Sequence, residues 1–284
     1  VPEDTPISSV SDTARWVAVY RAWESSRPDA LFHDPYAQRL AGERGPAIAA
    51  LMPRQTRSGW PIVVRTKLID DVISAALDRG CDAIVNLAAG LDTRPYRMRL
   101  PAALRWCEID LPALSEEKER LLADATPRCQ LVRLRADLRD AAQRRGALRS
   151  AVGSGTRVLV LTEGLLVYLD QPSVQALSAD LLAEAGIRWW TFDLASPAIV
   201  QMMSQRMGQH LAHAPMQFAP PTGVAYFEAL GWKVLQILEL APTAARLKRL
   251  PWLLRPFMLL PQPDPRDLKR GRWAAVVQLE PARR

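Results

Sequence analysis

A chain of 284 residues, 49% of them hydrophobic, can bury the core of one large α/β domain, whereas two full domains would each be small. Charged residues make up 24%, near the globular average, which argues against wholesale disorder. No uninterrupted apolar run is long enough to span a bilayer, and residues 1–11 lack the apolar core of a secretory signal, so a cytoplasmic protein with no membrane partner is expected. The net charge is +7, yet five of the 37 basic residues are lysine and the other 32 are arginine, spread along the chain rather than massed, so nucleic acid is not an expected partner.

Residues 1–60 read as a helical cap. Asp12 is placed to cap a helix carrying Trp16, Val17, Tyr20 and Trp23 on one apolar face. Asp34-Pro35 reads as an N-cap followed by proline at the first helical position, and 53–61 as a loop. Leu68, Ile69, Val72, Ile73, Ala76 and Leu77 recur at helical spacing, which predicts a helix over 65–79 with Gly80 as its C-terminal cap. The run Ala83-Ile84-Val85-Asn86-Leu87 is typical of a buried strand. Further strands are predicted at 104–109, 130–134, 157–161 and 188–194, with a helix over 171–184 closed by Gly186. Cys81, Cys107 and Cys129 are isolated and odd in number, so they read as buried free thiols rather than a disulfide framework or zinc site.

Strands alternating with helices imply a parallel sheet covered on both faces. After residue 195 the character changes. Residues 196–221 are rich in Met, Gln and His. A helix is predicted at 226–230, a strand at 233–238, a proline-rich basic segment at 241–265 and a final strand at 273–279. The expected fold is α/β, a doubly wound, mostly parallel seven-stranded sheet with one late antiparallel strand. It forms a single domain over 1–284: N-terminal cap 1–60, cofactor-binding core 61–195, and variable substrate cap with the final strands 196–284.

In such sheets ligands bind beyond the carboxyl ends of the strands, and the residues there line up. The first strand ends at Ala88-Ala89-Gly90, the second at Asp110, the third leads to Asp137-Leu138 and the fourth to Glu163. Gly90 lets the backbone turn tightly and a ligand approach it. Asp110 lies 20 residues after Gly90, about the spacing at which an acid meets ribose hydroxyls, and a carboxylate can accept two hydrogen bonds from a diol. Asp137 suits an exocyclic amine, with Leu138 packing on the ring. Glu163 suits a cationic end, and Arg65 can fork a carboxylate. Taken singly, a glycine after a strand is usually a turn and an acid there a helix cap; four in register on successive strands carry more weight. The loop lacks G-x-G-x-x-G, which argues against a dinucleotide and favours S-adenosyl-L-methionine, which has no phosphate.

The segment Leu87-Ala88-Ala89-Gly90-Leu91-Asp92-Thr93-Arg94-Pro95-Tyr96-Arg97 resembles the LGAGLDTRAYR segment of the leucine carboxyl methyltransferase family. That family includes protein phosphatase methyltransferases and polyketide carboxyl methyltransferases of the tetracenomycin type. Thr13-Ala14-Arg15-Trp16 with His33-Asp34-Pro35, Arg65-Thr66-Lys67 with Asp70-Asp71, Cys107 through Lys118, Ala136-Asp137-Leu138-Arg139 and Thr162 through Leu169 resemble its further motifs in order. The resemblance covers roughly residues 10–195 and fades after 200. It implies a class I, Rossmann-like S-adenosylmethionine-dependent methyltransferase with cofactor contacts at Arg65, Ala88, Gly90, Asp110, Leu111, Asp137, Leu138 and Glu163. Ala88 stands where the family usually has glycine. Alanine does not readily take φ > 0, so either the position is tolerant or the loop is shifted.

Methyl transfer is an in-line displacement on a sulfonium, for which alignment supplies up to roughly 7–11 kcal/mol. A carboxylic acid of pKa ~4 is already ionised and needs no base, whereas a phenol of pKa ~10 benefits from one. No general base stands out: His33 sits beside a cap, and His210 and His213 lie in the variable region without acidic or cysteine partners, so no metal is expected. No catalytic residue is assigned. Tyr20 and Tyr168 are candidate substrate contacts, though ordinary packing explains them equally well. The segment 244–261 mixes Arg246, Lys248, Arg249 and Arg255 with Leu247, Leu250, Trp252, Leu253 and Leu254. It suits a lid or a membrane-surface patch, but a proline-broken strap over the sheet is the preferred reading. The expected function is O-methylation of a small-molecule carboxylate, a polyketide-type natural-product intermediate. Phenol or carbon methylation in secondary metabolism is the alternative, and a basic RNA-binding or RNA-modifying protein the alternative of another class. The oligomeric state stays open.

Overall fold

The computed structural model describes residues 10–52, 58–207, 215–269 and 271–282. Seven strands form one sheet: β1 (Ala83–Leu87), β2 (Arg105–Asp110), β3 (Gln130–Arg135), β4 (Val158–Thr162), β5 (Ile187–Ala195), β6 (Trp232–Glu239) and β7 (Ala274–Pro281). Their order is β3-β2-β1-β4-β5-β7-β6. The first five run parallel, and β7 is antiparallel to both β5 and β6. Two antiparallel steps restore direction, so β6 points the same way as the parallel set.

The central strands β1 and β4 are buried along their whole length, which is why they read as unbroken apolar runs. Side-chain alternation sends successive residues to opposite layers. Val85 and Leu87 join a core with Trp190, Phe192 and Trp232, covered by Leu148 of α7 (Ala141–Val152), Leu177 and Leu181 of α8 (Gln171–Ala183) and Phe227 of α10 (Ala225–Ala229). Ile84 joins the opposite core with Trp106, Leu159 and Val276, covered by Ile69 and Ile73 of α4 (Trp60–Asp78) and Ala244 of α11 (Leu240–Arg246). A third cluster forms where Trp16, Val19 and Tyr20 of α1 (Val10–Ser25) meet Leu40 of α2 (Ala37–Ala41), Ile48 of α3 (Arg44–Leu51), and Leu91, Tyr96 and Leu114 near the strand ends.

Four local expectations change. The helix predicted from 65 starts at Trp60, because Pro61 occupies its first turn, where no backbone N–H is needed. Asp12 lies inside the first turn of α1 rather than ahead of it, and its carboxylate takes Arg44 Nε at 2.5 Å and Nη2 at 2.9 Å. Asp34 precedes a turn, not a helix: its Oδ1 accepts from the Tyr36 amide at 3.1 Å, and α2 begins only at Ala37. Gly186 does not cap α8, which ends at Ala183; a Cβ there would meet the Gly155 carbonyl oxygen at 2.2 Å, so two backbones cross closely at that point.

The largest correction concerns the proline-rich segment. α11, Leu250 and Met258 pack against the core shared by α4 and the sheet, but the rest of the 3-10 segment Trp252–Leu259 does not cover it: Trp252 is 73% and Leu259 88% exposed. Pro251, Pro256 and Pro261 interrupt any helix that could bury one face. The three cysteines are free and buried. Among the described residues no helix is long and apolar enough to cross a membrane, and no group of three metal-ligating side chains occurs. His210 and His213 lie outside the described residues.

Candidate active site

The loop after β1 carries two residues in left-handed backbone, Ala88 (φ 51°) and Gly90 (φ 50°). The loop is therefore not shifted: alanine takes the conformation expected of glycine, at a cost of roughly 1–2 kcal/mol. The Ala88 amide, donating to the Ile109 carbonyl at 2.8 Å, holds it there. The Gly90 amide donates to Asp110 Oδ2 at 2.6 Å and the Leu111 amide to Oδ1 at 2.8 Å. Asp110 is 8% exposed. Burial pushes its carboxyl up, and the two amides only partly offset this. Each oxygen keeps a further lone pair, so the carboxylate stays able to accept from a ligand. The Ala136 amide donates to the Asp110 carbonyl at 3.0 Å, setting the end of β3 beside the end of β2.

Beyond β4 the site is a mesh of guanidiniums and carboxylates. Arg65, on α4, donates from Nε to Glu163 at 2.9 Å and from Nη1 to Asp193 at 3.0 Å. Asp193 also accepts from the Gly164 amide at 2.6 Å. Arg94 opens the short helix α5 (Arg94–Arg97) and is 2% exposed. Its Nε meets Asp70 at 2.7 Å, and its Nη1 meets both Asp92 at 2.8 Å and Glu163 at 2.7 Å. Arg97 forks Asp70 at 2.7 and 2.8 Å, and Asn86 Nδ2 donates to Asp92 at 2.8 Å. Burial alone would raise the Glu163 carboxyl, but Arg94 and Arg65 outweigh it and hold the group below the usual range. The same contest, won by Arg94 and Lys118, lowers Asp92. Both are anionic at neutral pH.

The N-terminal cap is tied to this loop. Arg21 donates to the Leu91 carbonyl at 2.6 Å and to Asp34 at 2.9 Å, and Asp34 accepts the Thr93 hydroxyl at 2.6 Å. A Cβ on Gly90 would lie 3.6 Å from the Ala14 methyl group, so α1 sits against the turn.

The structure thus gathers Ala88, Gly90, Asp110 and Leu111 at one point, and Arg65 and Glu163 at another. Asp137 stands at the rim. Its carboxylate is taken by Arg139 Nη2 at 2.7 Å, whose hydrogen bonds lower its pKa, while Leu138 packs against the core. Apart from Arg65 and Glu163, the side chains of the mesh carry no role in the sequence reading. Asp193 lies in the fifth strand, and an inspection of that strand's end like that of the first four would find it. Arg94 lies within the recognised motif, but nothing local shows where its side chain goes. His33 is exposed. Tyr168 closes a 3-10 turn, Leu166–Tyr168, facing the charges of Arg65 and Asp193, and burial pushes its phenol up to about 12. Tyr20 is buried, accepts the Trp16 indole N–H at 3.0 Å, and lines a cavity of about 410 Å³ with Trp23, Trp60, Val63 and Lys248.

Sheet order and acidic strand ends define the class I S-adenosylmethionine-dependent methyltransferase fold. A Thermobifida fusca crystal structure, named as a candidate methyltransferase, shares it: TM-score 0.61 and 13% identity, over 99% of this chain and 97% of that one. The profile described as leucine carboxyl methyltransferase matches residues 14–182, and the chain belongs to that family. A Frankia alni relative named as a candidate S-adenosyl-L-methionine-dependent methyltransferase is 34% identical over 84% of this chain and 90% of its own. A Streptomyces coelicolor relative with the same designation is 38% identical over 61% of this chain. There the match spans just under two thirds, 64%, of the relative's length.

Proposed function

We propose that the protein is an S-adenosylmethionine-dependent O-methyltransferase acting on the carboxylate of a small molecule, a polyketide-type natural-product intermediate. The observation that carries this reading is the pairing of a cofactor-type strand end, Gly90 against Asp110, with a reaction end that offers no base. Among the described residues the mesh there holds carboxylates kept anionic by arginines and a phenol pushed up to about 12. A carboxylate acceptor, ionised above pKa ~4, needs no proton removed.

The side chains fit the cofactor's chemistry. The remaining lone pairs of Asp110 suit the ribose diol, Leu138 and Asp137 the adenine, and Glu163 the cationic end. Arg65 keeps Nη2 for the cofactor carboxylate, its Nε and Nη1 being engaged by Glu163 and Asp193. Ala88 and Leu111 contribute backbone walls. When bound, S-adenosylmethionine supplies a methyl group on a sulfonium. The protein's own work is alignment and exclusion of water. Residues 1–284 act as one unit in this reading: cap 1–60 over the loop, core 61–195 for the cofactor, and 196–284 for the acceptor side.

We place the acceptor in the cavity bounded by Tyr20, Trp23, Trp60 and Lys248. The first half of α4 lies at the carboxyl end of the sheet, since the Thr66 carbonyl accepts from Arg94 at 3.4 Å. The aromatic walls suit an apolar body and Lys248 an acid group. Tyr168, beside Arg65, is the second acceptor contact in this reading. The rival RNA reading loses support from the ion pairing, because Arg65, Arg94, Arg97 and Arg133 are spent on internal carboxylates.

Titration calorimetry with S-adenosylhomocysteine, followed by labelled methyl transfer to aromatic carboxylic acids, tests the reading. Base-labile label is expected. Base-stable label points to phenol or carbon. No cofactor binding, with salt-dependent RNA binding instead, overturns it.

A further inference from the structure

The segment after α11 presents what a free-standing soluble surface normally lacks. Trp252, Leu253, Phe257, Leu259 and Leu260 are all exposed and adjacent in sequence, with only Met258 and Pro251 tucked inward. Single exposed apolar side chains need no explanation, but a contiguous patch of large ones marks an interaction surface.

Charge distinguishes the kinds of partner. Between Glu239 and Asp264 the chain has no acidic residue and carries Arg246, Lys248, Arg249 and Arg255. Arg249 is consumed by Glu24 and Asp29. Arg246, Lys248 and Arg255 are exposed, and among the described residues no carboxylate pairs with them. A second copy of the chain would bring like cations face to face, which disfavours a symmetric contact. Tryptophan, phenylalanine and leucine set among unpaired cations are instead the composition of a segment that lies in an anionic lipid interface.

Its position follows from topology. Because β6 runs with the parallel strands, the chain leaves it at the carboxyl end of the sheet, the end that carries Gly90, Asp110 and Glu163. The root of the segment, with Lys248, Arg249 and Pro251, lines the same cavity as Trp23 and Trp60. We propose that the strap 246–260 is an interfacial anchor that docks on an anionic phospholipid bilayer and turns the mouth of that cavity toward the lipid. The proposal does not depend on which group accepts the methyl.

Co-sedimentation of the full chain with vesicles tests it. Binding is expected to vesicles containing phosphatidylglycerol, falling with added salt, and not to phosphatidylcholine alone. Arg246→Gln with Arg255→Gln lowers partitioning by about fivefold per residue. Trp252→Ser with Leu259→Ser lowers it by at least about tenfold. Unchanged melting temperature and S-adenosylhomocysteine affinity show that both variants fold. Failure to bind phosphatidylglycerol vesicles overturns the proposal, as does equal binding to neutral vesicles that neither variant weakens. A dimer in sedimentation equilibrium that the Trp252→Ser, Leu259→Ser variant dissociates also overturns it, because the patch would then be an interface between copies.

Discussion

In the first two thirds of the chain, charged side chains are buried and paired; in the strap after β6, apolar side chains are exposed and, Arg249 apart, cations stand without carboxylates among the described residues. The first arrangement is rigid and costly to disturb, because removing one partner strands the others in low dielectric. The second has little internal energy to lose, which suits a surface whose partner lies outside the chain. Substitutions in the two regions should therefore differ both in size and in what they change.

The largest effect is expected at Arg94. Arg94→Ala leaves Asp70, Asp92 and Glu163 without their shared cation and should cost about 3–5 kcal/mol of stability, measured by urea unfolding. A loss under ~1 kcal/mol would mean that the mesh is not held as described. Asp110→Ala comes next. It removes the acceptor for the Gly90 and Leu111 amides and should weaken S-adenosylhomocysteine binding by about a hundredfold, roughly 3 kcal/mol.

Acid sharpens the same contrast. Asp92 and Glu163 have lowered pKa values in the folded state. Their contribution is present above the unfolded value, about 4, and is lost as pH falls through the folded values. Asp110 has the opposite sign: burial raises it, so ionising it costs stability as pH rises through its folded pKa. Stability should therefore hold from neutral pH to about 5 and decline below ~4. In Arg94→Ala the decline should be shallower; identical slopes would show that the mesh does not set the acid limit.

Ala88→Gly should stabilise the protein by about 1 kcal/mol by relieving left-handed strain, with cofactor affinity kept or improved. A lower melting temperature would contradict φ 51° at this position. The smallest effect belongs to the strap, where Trp252→Ser should leave stability within about 0.5 kcal/mol.

The sequence by itself determined the strands, the helices over 65–79 and 171–184 and the residues at the strand ends, because periodicity and end position are local properties of the chain. It thereby fixed the sheet's class and brought Gly90, Asp110 and Glu163 forward. Only tertiary structure decided which carboxylate each arginine meets. Arg65 and Asp193 lie 128 residues apart, and nothing in either neighbourhood specifies the other, since a guanidinium accepts any acid that folding delivers. The same holds for Ala88, whose strained backbone is held by the hydrogen bond its amide donates to the Ile109 carbonyl on the neighbouring strand. It holds too for the strap, where composition left open whether its apolar residues would be covered, and where prolines and the placement of α11 left six of them in solvent.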